Sequence, residues 1–80
     1  MRAFLGTFTA TSPAGQSHTI AIYQQMIAYE HNGFVCYEPG IKELEAVSDG
    51  ANVYRRDKGH YEMFSGAIAI PLQSDDPAAP

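Results

Sequence analysis

The chain has one cysteine and no tryptophan in 80 residues, and it is poor in cations, with five Lys and Arg against nine Asp and Glu. The first and last of these shortages each remove a class of protein. A single thiol, Cys36, cannot form an internal bridge, so the disulfide scaffolds common among small secreted domains are excluded and a reducing compartment fits. A formal net charge of -4 at pH 7 gives no long-range field drawing in nucleic-acid phosphates or anionic membranes. No apolar run approaches the roughly 20 residues of a membrane-spanning helix. The opening stretch, Met1 to Gly15, is too polar after Leu5 to supply a signal-peptide core. The expectation is a cytoplasmic protein with no membrane partner.

Hydrophobic residues make up 45% of the chain, which places it among folded globular proteins. Its size is the difficulty. A domain this short buries only about 60% of the surface its unfolded form exposes, and such chains commonly gain the missing stability from disulfides, a metal or a partner subunit.

Leu44 to Leu72 carries three turn signals, Asp49-Gly50, Lys58-Gly59 and Ser65-Gly66. Each separates short runs rich in β-branched and aromatic residues, which predicts a four-stranded meander. Upstream, Arg2 to Thr11 alternates loosely, with Gly6 marking a bulge or a close backbone approach. Ser12-Pro13-Ala14-Gly15 is a turn. From Ser17 onward Ile20 and Ile22 alternate with Thr19, Ala21 and Tyr23, giving a hairpin partner for the first strand.

Between Gln24 and His31 two readings compete. Tyr23, Met26, Ile27 and Glu30 follow helical spacing, and Asn32-Gly33 suits a helix C-terminus; the same dipeptide suits a hairpin turn. Residue types favour a short helix near residues 24-31. Phe34 to Glu38 reads as a strand closed by Pro39-Gly40, and residues 73-80, acidic and proline-containing, as a flexible tail. The fold class expected for residues 1-72 is therefore a single mainly β domain, or α+β with that helix, its antiparallel meander forming a small barrel or two-layer sandwich.

If the three turns are two-residue loops, the faces of the meander follow. Val47, Tyr54, Tyr61, Met63, Ile68 and Ile70 share one face. Leu44, Ala46, Val53, Phe64, Ala67 and Ala69 share the other. Both are substantially apolar, and one chain cannot cover both, so the second set is the expected interface of a homodimer or with a protein partner.

Candidate chemistry is sparse. His18, His31, His60 and Cys36 match no ligand spacing, although a turn at Asn32-Gly33 would set His31 and Cys36 diagonally on one face. There is no nucleophile elbow and no phosphate-cradling glycine loop. Glu43 and Glu45, with Arg56 nearby, read as a solvated face. No cofactor, metal or enzymatic activity is expected. The alternative function is nucleic-acid binding through a basic and aromatic hairpin, Arg55, Arg56, Lys58 and Tyr61, whose cations would hold phosphates while the ring stacks a base.

Overall fold

A computed structural model describes all 80 residues. Six antiparallel strands follow one another around a closed barrel: β1 (Arg2–Thr11), β2 (Ser17–His31), β3 (Phe34–Ala46), β4 (Asn52–Asp57), β5 (His60–Ser65) and β6 (Ile68–Gln73). The all-β class and the meander are as the sequence led one to expect. The helix is not there. Residues 24-31 continue β2 without a break, because Asn32 and Gly33 adopt φ of 51° and 79°, the two positive values that a tight type I′ hairpin turn requires. With that turn in place, Phe34 to Ala46 lies alongside as a ready partner strand. Pairing satisfies main-chain groups that a two-turn helix would leave open at both ends.

The core gathers Phe8, Ala10, Ile20, Ile22, Leu44, Ala46, Val53, Tyr61, Met63 and Leu72. Phe8 and Tyr61 meet at its centre, their rings 5.0 Å apart. Every one of these residues comes from the inward set of its strand, while Thr7, Thr9 and Thr11 point to water. Gly6 does sit at a bulge, since the β1–β2 register slips between Phe4 and Gly6.

The meander's faces differ from the expected ones for one reason. Asp57 pairs with His60 around Lys58-Gly59, but the next pair is Arg55 with Tyr61, so Arg56 is an extra residue with no partner. A one-residue bulge turns over every side chain beyond it. Tyr61 and Met63 thus join Leu44, Ala46 and Val53 inside, and Phe64 moves outside next to Tyr54, with ring centroids 5.3 Å apart. The other two turns also depart from expectation, without consequence for the faces. The first loop is longer, with Leu44 opposite Val53, and the third is Gly66-Ala67, with Ser65 opposite Ile68. Each moves its register by two positions, which keeps the alternation intact.

Closure is thin at two seams. β3 meets β4 only at Leu44–Val53 and Glu45–Asn52, and β1 meets β6 only at Thr11–Gln73. Residues 73-80, expected to fray, lie against the second seam and cross the barrel mouth. Ser74 Oγ donates to Thr9 O, the Asp76 carboxylate accepts the Thr9 N–H, Ala79 packs against the core, and the Tyr61 hydroxyl donates to Pro80 O.

Candidate functional site

The molecule measures 53 × 29 × 20 Å, and the long dimension comes from β2 and β3 outrunning the other strands. Beyond Gln25 the hairpin has no neighbour on β1, whose pairing with β2 stops at Arg2. Residues 26–39 therefore form a two-stranded arm. Ile27, Tyr29, Phe34, Val35 and Tyr37 give it strand propensity. Isolated two-stranded ribbons are only marginally stable in water.

Register assigns the arm's side chains to two faces. Ile27, Tyr29 and His31 lie opposite Glu38, Cys36 and Phe34; Met26, Ala28 and Glu30 lie opposite Pro39, Tyr37 and Val35. Both faces are largely apolar and both are open. Phe34 is 73% exposed, Val35 67%, Tyr37 52% and Ile27 50%. None of the core residues comes from this segment, so the barrel does not depend on it for burial.

The base of the arm is built more firmly than its tip. Gly40 and Ile41 together oppose Gln25, a bulge between Gln24–Lys42 and Met26–Pro39. The Gln24 side-chain amide donates to Gly40 O at 2.8 Å and to Ile41 O at 3.3 Å, satisfying carbonyls that the bulge frees from the ladder. A side chain at position 40 would lie 3.0 Å from Ile27 Cδ1. Across the outer surface Arg2 bonds Glu45 at 2.7 Å and Glu43 at 3.1 Å with its guanidinium 3.8 Å above the Tyr23 ring. Gln25 Nε2 donates to the second Glu43 oxygen. Mainly through that amide, and then through Arg2, the Glu43 carboxyl is held below its ordinary range.

The residues singled out from sequence are dispersed. Leu44, Ala46 and Val53 are 7%, 1% and 4% exposed inside the barrel, whereas Phe64 is half-buried on the outside and Ala67 and Ala69 are exposed. They form no single patch, because the Arg56 bulge separates the two groups. The four residues of the basic hairpin are divided in the same way. Tyr61 is 2% exposed with its ring against Phe8, so it offers no face to a base. Arg56 is bound through two nitrogens to Glu62, at 2.8 and 2.9 Å, Arg55 Nε donates to Pro80 O at 3.4 Å, and Lys58 occupies the turn. His31 and Cys36 do share a face of the arm, but no group of three or more His, Cys, Asp or Glu comes together anywhere.

Helical spacing over Gln24 to His31 masks the arm in the sequence. The one cue that identifies it is Asn32-Gly33 between two runs of strand-favouring residues. Comparison with protein-family models, with curated proteins and with solved structures gives no match.

Proposed function

We propose that this chain is a small non-enzymatic interaction module that assembles with a second copy of itself through the β2–β3 arm. The carrying observation is the pair of exposed apolar faces on residues 26–39, outside a barrel that already has its own core. Burying an aliphatic or aromatic side chain of this kind stabilises by about 1.5–3 kcal/mol. Five such groups on a ribbon that is marginal alone favour a bound state over a solvated one. The expectation of a homodimer is thus kept, and its location moves from the meander to the arm.

Sedimentation velocity across a micromolar concentration series tests this. Self-association that rises with concentration is expected, and it should weaken about tenfold or more on Phe34→Ser combined with Val35→Ser, since each removes an exposed apolar group that association would bury. A clean 8.7 kDa monomer throughout the series would overturn the reading.

A further inference from the structure

The outer edge of β3 within the arm is bare main chain, and the order of its donors is fixed. The Met26 N–H donates to Met1 O at 2.8 Å, away from β3. Met26 and Pro39 are therefore a pair that exchanges no ladder bonds, at the position where the missing N–H of proline costs the hairpin nothing. Alternation from there turns Phe34, Cys36 and Glu38 toward β2 and leaves the N–H and C=O groups of Val35 and Tyr37 pointing outward. β4 does not cover them, since its pairing with β3 ends at Leu44.

We infer that Phe34–Glu38 pairs antiparallel with the same segment of a second copy, about a two-fold axis through Cys36. This rests on the self-association proposed above and specifies its geometry. In this register Val35 of each copy lies opposite Tyr37 of the other, and both outward residues exchange both of their bonds. Neighbouring registers do worse. An axis through Tyr37 sets Val35 against Pro39, which has no N–H to give; an axis through Val35 sets Tyr37 against Gly33, held at φ 79° in the turn. The chosen register also joins a β-branched and an aromatic side chain across the strands and keeps Glu38 away from its own copy, opposite Phe34. Self-complementarity of this kind is what an isologous two-fold contact requires, and a second copy of the chain supplies it.

Cys36 then faces the Cys36 of the second copy as a non-hydrogen-bonded pair, with Cα atoms about 4.5 Å apart. That lies within the roughly 4.4–6.8 Å that a disulfide spans. The thiol is a reporter here: with glutathione disulfide as oxidant, two thiols lose two protons and two electrons to form the bond, and glutathione disulfide is reduced to two glutathione molecules.

The test uses the full chain, first reduced. Amide hydrogen exchange followed by NMR at high and low protein concentration should show Val35 and Tyr37 slowed about tenfold or more only when associated. Oxidation should give a reducible Cys36 dimer. Tyr37→Pro removes one outward donor without touching the β2 ladder, and it should abolish both association and cross-link. A dimer lacking Val35 and Tyr37 protection and lacking the cross-link would overturn this pairing while leaving arm association standing. A monomer would overturn both. If Tyr37→Pro loses its fold, exchange in the unaltered chain decides.

Discussion

Asp76 accepts the Thr9 N–H at 2.9 Å, and this carboxylate does at the closing seam what a row of strand pairs does elsewhere in the barrel. The ladder between β1 and β6 consists of Thr11–Gln73 alone. Past that point side chains of the tail take over from main chain.

The same carboxylate should make the barrel acid-sensitive. The Ala78 N–H, and after it the Thr9 N–H, hold the Asp76 carboxyl below its ordinary value of 3.8. The native state therefore binds fewer protons than the unfolded state in that range. Its contribution to stability is complete above the ordinary value and drains away as pH falls through the lowered one. Glu43 and Glu62 are lowered too, Glu43 first by Gln25 and Glu62 first by Arg56, so they add to the acid limb in the same sense. Thermal unfolding between pH 7 and pH 2 should show Asp76→Asn less stable at neutral pH and with a shallower fall toward acid. An acid limb of unchanged steepness would mean that the seam does not depend on this charge.

Arg56 separates what a bulge does from what its side chain does. Arg56→Ala removes an exposed ion pair with Glu62, and such pairs contribute little, so the melting temperature should hardly move. Deleting residue 56 removes the bulge. Either Val53 or Tyr61 with Met63 must then turn outward, and loss of the cooperative transition is expected, because exposing core aliphatic and aromatic side chains costs about 1.5–3 kcal/mol each in a chain with a small core. Circular dichroism melts of the two variants make the comparison.

That bulge also marks where the sequence stops being legible. The strand-favouring runs and glycine turns of residues 44 to 72, the bulge at Gly6 and the alternation of Ile20 and Ile22 were readable because turn chemistry and two-residue periodicity are local. Nothing local announces the bulge at Arg56. It is chosen by what lies across the barrel, where Phe8 needs Tyr61, and a face assignment carried through Lys58-Gly59 fails at that residue. The arm was hidden by a different conflict: Gln24 to His31 satisfies helical spacing and strand alternation together, and the partner strand that decides between them lies beyond the Asn32-Gly33 turn. The interface expected at Leu44, Ala46 and Val53 inherited the first of these errors.

Two turn glycines should respond differently to the same change. Gly59 and Gly66 have φ of 81° and 62°, where an L residue costs roughly 1–2 kcal/mol. A Cβ at Gly66 meets nothing within 4 Å, but at Gly59 it would lie 2.9 Å from Ser74 O, whose N–H is itself bonded to Gly59 O at 2.9 Å. Gly66→Ala should cost the backbone strain alone. Gly59→Ala should cost that and displace the tail from the mouth, so chemical denaturation should rank it clearly as the less stable of the two, with faster proteolysis of residues 74–80. Equal losses would show that the tail yields without penalty.

Because the core draws on no residue between Met26 and Gly40, the arm should be removable. Ile27 lies opposite Glu38, and alternation from the Met26–Pro39 pair makes them a pair that exchanges both ladder bonds. A two-residue type I′ loop is closed by such a pair, so replacing residues 28–37 by Asn-Gly preserves the register of everything beneath it. The shortened chain should keep its cooperative unfolding transition at close to the parent's stability, since changes that disturb no buried group usually stay within about 0.5 kcal/mol. It should also sediment as a monomer at every concentration. Retained self-association would place the contact on the barrel, with the exposed Tyr54 beside Phe64 as the surface to examine next, whereas loss of folding would show that the ribbon contributes to the barrel's stability despite supplying none of its core.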